Sequence, residues 1–171
     1  MFTQSTVRVL LVCTGNICRS PMAHAYFRPR GAPAGLRGQI DVESRAISPS
    51  NVGSPPHPGT RAVLARPGVS WSEILARQIR PDDCNHFDYI VVMDRSRLRD
   101  LPAGCRPKAR RLLSWTPGRA EADEIFDPYG SDRFEEVDAL MQPALDKLLE
   151  RIVQRHGWVS SSAKGGPASQ T

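Results

Sequence analysis

A thiol, a glycine and a guanidinium fall within eight consecutive residues, Cys13-Thr14-Gly15-Asn16-Ile17-Cys18-Arg19-Ser20. An apolar run at residues 7–12 precedes them. The segment Pro21-Met22-Ala23-His24-Ala25-Tyr26-Phe27 follows and reads as the start of a helix. A strand, a short loop and a helix N-terminus in that order make an anion cradle. Backbone N–H groups point into such a loop, and the positive end of the helix dipole stands behind them. Gly15 permits a positive φ and Asn16 tolerates one, so the amides of Thr14, Gly15, Asn16, Ile17, Cys18 and Arg19 can wrap a tetrahedral oxyanion as a nest. Arg19 adds a two-pronged grip on two further oxygens. The Gly-Lys-Ser/Thr ending of a nucleotide-binding phosphate loop is missing. Inorganic phosphate and other oxyanions are expected to bind here as inhibitors.

The cradle has a thiol at its base. Cys13 closes the strand and faces both the helix N-terminus and Arg19, a setting that lowers a cysteine pKa below the free value of about 8.5. Ser20 is placed to donate a hydrogen bond to the sulfur. Taken alone, Cys13 reads as a small buried hydrophobe at a strand end. With the glycine, asparagine and arginine at these spacings, it reads as a nucleophile beneath a bound phosphate, aligned for in-line attack on phosphorus. A phenolate leaving group, of conjugate-acid pKa about 10, calls for an acid above the cradle. Asp127, in Ile125-Phe126-Asp127-Pro128-Tyr129-Gly130, is the candidate, because apolar surroundings would keep its carboxyl protonated. An aspartate before proline is equally the pattern of a turn, and spacing alone leaves both open.

The remaining sequence must position these groups. The 171 residues, 40% apolar and 24% charged, suffice for one globular domain, read here as residues 7–158. Residues 1–6 are a short N-terminal extension and residues 159–171 a flexible tail without core-forming side chains. No apolar stretch approaches the roughly 20 residues of a membrane span. The first residues lack the charged and apolar blocks of a signal peptide, so a cytoplasmic protein is expected. Four cysteines do not make a disulfide scaffold; Cys84 and Cys105 are scattered, and paired zinc-ligand spacing is missing. The net charge of +5 favours anionic partners, yet the arginines are dispersed without interleaved aromatics, which argues against nucleic acid.

Strand-like and helix-like segments alternate, the pattern of an α/β parallel sheet. Strands are expected at residues 7–12, 39–46, 87–93 and 109–113, the second at a sheet edge because it is the least apolar. Helices are expected at about residues 19–28, then 60–65, 71–78 and 95–101. Another spans residues 131–156, with Pro143 kinking or dividing it. Residues 31–38 and 48–58 read as loops rich in proline or glycine.

The segment from Val9 through Cys13 and Arg19 to Ala23 closely resembles the signature of the low-molecular-weight protein tyrosine phosphatases. The likeness continues through Ala76-Arg77-Gln78, Phe87-Asp88-Tyr89-Ile90, Met93-Asp94 and Asp127-Pro128-Tyr129. It implies a three-layer sandwich, a central four-stranded parallel sheet flanked by helices with the phosphate loop after strand 1. It implies hydrolysis of phosphotyrosine monoesters in proteins through a phosphocysteine, without metal or cofactor. Cys13 becomes the nucleophile, Arg19 the phosphate and transition-state clamp, and Asp127 the acid and then the base. Asn16 and Ser20 organise the loop and stabilise the thiolate. Cys18 matches a second cysteine able to form a reversible disulfide with Cys13, and Tyr129 an aromatic pocket wall beside Ile17. Four positions depart from the family pattern: Ser50-Asn51 replaces Trp-His in the second pocket loop, Gly130 replaces an aromatic, and Ile74 replaces a histidine.

Related chemistries share this loop. Arsenate reductase needs two further cysteines a few residues apart, whereas Cys84 and Cys105 are separated by 21 positions. Protein arginine phosphatases have threonine where this chain has Ile17, and a branched apolar residue there favours an aromatic ester. A phosphate-binding module would need neither Cys13 nor Asp127, and a thiol redox sensor has no use for the cradle.

Overall fold

The computed structural model describes residues 5–30, 38–118 and 124–158. Strand β1 (Val7–Cys13) leads through the cysteine-arginine loop into helix α1 (Arg19–Arg30). Strand β2 (Ile40–Ala46), helix α2 (Pro58–Leu64), the single turn α3 (Asp83–His86) and strand β3 (Tyr89–Val92) follow. Helix α4 (Arg95–Asp100), strand β4 (Ala109–Arg111) and the long helix α5 (Phe134–Arg155) complete the order. All pairings are parallel and the strand order is β2-β1-β3-β4. The chain leaves β1 to one side and later returns to its other side. The crevice at the carboxyl end of β1 is therefore the topological switch point, where open parallel sheets bind ligands.

Alternation along β1 builds the two faces. Val7, Val9, Leu11 and Cys13 pack with Met22, Phe27, Leu64, Met141 and Leu148 beneath α1, α2 and α5. Leu10 and Val12 pack with Ile90, Val92, Phe87 and Leu101 on the opposite face. Val9 through Val12 are fully buried, which agrees with a central strand covered on both sides. The expected sandwich is observed, and β2 lies at an edge. Among the described residues, no helix is long and apolar enough to cross a membrane.

Several elements differ from expectation. Residues 71–78 are not helical. Backbone bonds from Ala76 N to Ser54 O (2.8 Å), Gly53 N to Ala76 O (2.8 Å), Ala46 N to Arg77 O (2.7 Å) and Ile79 N to Ala46 O (2.8 Å) draw this segment alongside the loop after β2. Tertiary pairing overrides local propensity here. The turn α3 escaped notice because four residues carry no periodicity. Helix α1 runs two residues further than expected, through Pro29, and β4 gives way after Arg111 to a 3₁₀ turn. Helix α5 begins at Phe134 and is one element across Pro143, undivided, with Met141, Ala144 and Leu145 buried around the proline. Residues 31–37 of the first predicted loop, residues 1–4 of the N-terminal extension and the predicted tail at 159–171 lie outside the described residues.

The cysteine expectation is also corrected. Cys84 of α3 and Cys105 of the 3₁₀ turn before β4 form a disulfide, while Cys13 and Cys18 are free. Turns that lead into β3 and β4 are brought together by the parallel pairing of those strands, a juxtaposition invisible in the linear spacing. The bond closes a 21-residue separation, so its loss in Cys84→Ser is expected to cost about 3 kcal/mol. Denaturant titration with and without reductant checks this. The wild-type midpoint should fall on reduction to near that of the variant, and a midpoint indifferent to reductant contradicts it.

Candidate functional site

The loop after β1 is held by three backbone hydrogen bonds from the segment after β2. Ile47 N donates to Cys13 O (3.0 Å), Ser48 N to Thr14 O (2.9 Å) and His57 N to Ile17 O (2.8 Å). These bonds anchor the loop to residues 47–57. Of the two residues expected to take a positive φ, only Asn16 does so, at 54°. A Cβ at Gly15 would stand 2.7 Å from the side-chain end of Asn51, Nδ2, which would have to shift to admit it.

Asn16 is buried and both ends of its amide are engaged. Arg77 N donates to Oδ1 (3.0 Å), and Nδ2 donates to Ser20 Oγ (2.8 Å). Because Ser20 Oγ accepts from Asn16, its own proton is free for Cys13 Sγ, 3.0 Å away. A thiolate has no proton to give, so when Cys13 is ionised the serine is the donor to the sulfur.

Arg19 is 3% exposed. Its Nη1 donates to Asp94 Oδ2 (2.8 Å) and to the carbonyl of Ile125 (2.9 Å). Nη2 makes two longer contacts, to Thr14 Oγ1 (3.3 Å) and Asp127 Oδ2 (3.4 Å). Nη1 is therefore saturated and rigidly held, while Nε and the Nη2 donors, held only by the two long contacts, are the ones an oxyanion can take. Asp94 caps α4 by accepting from Arg97 N (3.1 Å), and Ser96 Oγ donates to the same carboxylate oxygen. Burial disfavours its ionisation, but the hydrogen bonds from Ser96 and Arg19 and the Arg19 charge outweigh burial. They hold the Asp94 carboxyl below its ordinary value.

Asp127 lies over the same crevice. Its Oδ1 accepts from Tyr129 N (3.1 Å), the turn pattern expected for an aspartate before proline, and its Oδ2 faces Arg19. The sheltered apolar setting expected for it is not found, since the side chain is 46% exposed. Ile125 N bonds to Met93 O (3.0 Å), which docks this segment on the end of β3.

A cavity of about 330 Å³ is lined by Cys13, Thr14, Gly15, Ile17, Cys18, Ser48, Ser50, Asn51, Asp127 and Tyr129. Ile17 and Tyr129 supply apolar and aromatic sides, and Ser48, Ser50 and Asn51 a polar one. Tyr129 meets His57 edge-on at 5.7 Å, and His57 stacks on Phe134 at 4.9 Å. Burial first, then the neighbouring Asp127 and Cys13 charges, push the Cys18 thiol up to about 12. Cys18 therefore keeps its proton at neutral pH.

All the candidate residues converge on one crevice. Asp94, Ser48 and His57 were not among the candidates, and Asn51 was noted only as a departure in the second pocket loop. For Asp94 a signal existed: an aspartate directly after a buried strand and before Arg-Ser-Arg is the pattern of a helix cap.

Residues 8–157 match the family described as low molecular weight phosphotyrosine protein phosphatase. The chain is 42% identical over 150 residues to the Bacillus subtilis low molecular weight protein-tyrosine-phosphatase YfkJ, covering 85% of this chain and 96% of that protein. It is 34% identical over 151 residues to the enzyme PtpA of Staphylococcus epidermidis, covering 86% and 95%. The crystal structure of YfkJ superposes with a TM-score of 0.83 at 39% identity, over 90% of this chain and 98% of that one.

Asp94→Asn removes the only carboxylate within 3 Å of the buried guanidinium among the described residues. It is expected to cost about 3 kcal/mol of stability near neutral pH. The Asp94 carboxyl lies lower in the folded chain than unfolded, so its contribution is present above the unfolded value and lost as pH falls through the folded one. The gap between wild type and variant should therefore narrow in acid. Unfolding measured across the acid range checks this, and a gap that widens there contradicts it.

Proposed function

The chain belongs to the low molecular weight phosphotyrosine protein phosphatase family and is a protein-tyrosine phosphatase, and from that premise we propose that it acts through a phosphocysteine formed on Cys13. The substrate phosphate sits over the amides of Thr14, Gly15, Asn16, Ile17, Cys18 and Arg19, with two oxygens on Arg19 Nε and Nη2. Cys13 Sγ attacks phosphorus, forming the S–P bond as the bond to the phenolic oxygen breaks. Asp127 passes its proton to that oxygen. The resulting carboxylate then takes a proton from water, which attacks phosphorus, breaks the S–P bond and releases phosphate. We assign no cofactor to either step.

The observation that carries this proposal is the directed chain Arg77–Asn16–Ser20–Cys13. It sets a hydroxyl able to donate to a thiolate against the sulfur, in the same crevice that Arg19 and Asp127 border. Ile17 and Tyr129 flank the phenyl ring, with Ser50 on the open side. Inorganic phosphate and related oxyanions compete for the cradle. Cys18 shares the cavity and guards Cys13: peroxide converts the Cys13 thiolate to a sulfenic acid, and Cys18 displaces water from it to close a disulfide. We take residues 7–158 as the catalytic domain and the cytoplasm as its setting; a truncation to those residues that loses activity, or recovery outside the cytoplasmic fraction, contradicts these two assignments.

Cys13→Ser is expected to abolish hydrolysis of aryl phosphates while retaining phosphate binding. Asp127→Ala should lower kcat by about 10²- to 10⁴-fold on basic leaving groups and less on p-nitrophenolate. Cys18→Ser should recover poorly with dithiothreitol after peroxide. Steady-state kinetics on a series of aryl phosphates, with a peroxide challenge, read all three. Full activity without Cys13, a leaving-group dependence unchanged without Asp127, or equal recovery without Cys18 removes the corresponding role.

A further inference from the structure

The mouth of the active crevice is electrically lopsided. On one side the rim is Ser50-Asn51, and the next residue, Val52, is exposed and lines a second cavity of about 570 Å³ with Arg45, Arg77, Gln78, Arg80, Asp82 and Asp83. Arg77 and Arg80 are exposed, and neither guanidinium pairs with a carboxylate among the described residues. The other charges are largely committed. Arg45 pairs with Glu43 and Asp83, and Asp83 also accepts from Arg80 N at 2.8 Å. Asp82 is the exposed carboxylate in the lining of that cavity, and on its other side Arg77 borders a cavity lined by Asp41, Glu43 and Glu73.

The opposite side has the reverse character. Beyond Tyr129, a cavity next to His57 is lined by Asp132, Glu135 and Glu136. The one cation there, Arg133, is bound to Glu136 (2.7 Å) and lies over the Phe126 ring (4.2 Å).

Ser50 lines the active crevice and Val52, two residues on, lines the cavity that holds the arginine pair, so the two cavity walls are joined by about 7 Å of backbone. An extended peptide advances about 3.3 Å per residue. A side chain about two or three residues from a phosphotyrosine seated over Cys13 can therefore reach across the low polar rim. A tryptophan-histidine pair in place of Ser50-Asn51 would raise that rim.

We propose that Arg77 and Arg80 form a docking site for an acidic side chain flanking the phosphotyrosine, so that substrate proteins carrying Asp or Glu on one flank of the target tyrosine are preferred. The inference rests on the phosphotyrosine phosphatase reading and adds to it a substrate class and a direction.

The test uses the whole chain and three phosphotyrosine peptides: Glu on the N-terminal flank, Glu on the C-terminal flank, and Gln on both. At low ionic strength, kcat/KM for one of the two acidic peptides should exceed that for the neutral peptide by about three- to tenfold. The ratio should collapse in added salt and invert toward Lys-flanked peptides in Arg80→Glu and Arg77→Glu. Arg80→Glu should leave p-nitrophenyl phosphate hydrolysis unchanged. An equal preference on both flanks, no preference at all, or a preference that survives both reversals together overturns the proposal. Failure to hydrolyse even the neutral peptide would instead overturn the phosphatase reading, so the two failures are distinguishable.

Discussion

A guanidinium that is 3% exposed must be matched by fixed partners, and the pairing of Arg19 with Asp94 at 2.8 Å meets that need. Each partner comes from a different piece of the fold. Arg19 opens α1, Asp94 ends the run from β3 and caps α4, and Ile125 carries the second carbonyl contact. The ion pair therefore ties the loop after β1 to the end of β3 and to the segment bearing Asp127. Breaking it would release the clamp and the acid together. A buried pair of this kind contributes little net stability, because desolvation offsets the attraction. Its worth here is placement: with Nη1 saturated, the remaining donors of Arg19 have one direction in which to act.

The parallel sheet supplies the second constraint. Strand order β2-β1-β3-β4 leaves the carboxyl end of β1 open between connections that depart to opposite sides. A loop there is backed by a helix N-terminus and flanked by the loop after β2. Backbone bonds from Ile47, Ser48 and His57 hold it from that side. Asn16 completes the shape by taking a φ of 54°, at a position where its amide bridges the Arg77 backbone and Ser20. A few side chains thus serve conformation and chemistry at once.

The chemical centre was legible in the sequence because it is local. Cys13 through Ser20 lie within one turn, and the short span dictates their mutual placement. The strands and α5 were legible because β-branched runs and helical periodicity survive at the level of single segments. What escaped depends on contacts between distant segments. Residues 71–78 follow the backbone of the loop after β2 rather than their own propensity. Cys84 and Cys105 meet only because the turns entering β3 and β4 are neighbours. Gly15 reads as a positive-φ residue, yet it takes no positive φ, and its near neighbour is the side chain of Asn51, 36 positions away. Asp94 carries a helix-cap signal, but its pairing with Arg19 spans 75 positions and shows only in the fold. The polar rim of Ser50-Asn51 was visible as a departure from the family pattern, but only the fold shows that it separates the crevice from two arginines that pair with no carboxylate among the described residues.

The central claim is that phosphorus is transferred to Cys13 before it reaches water. Rapid quenching of the enzyme in acid during turnover of a phosphotyrosine peptide, followed by digestion and mass spectrometry, tests this directly. The account predicts a peptide containing Cys13 that is heavier by one phosphoryl group, formed at the rate of phenol release and lost in Cys13→Ser. A phenol burst with no phosphoryl group on Cys13, or a modification found on any other residue, would contradict it.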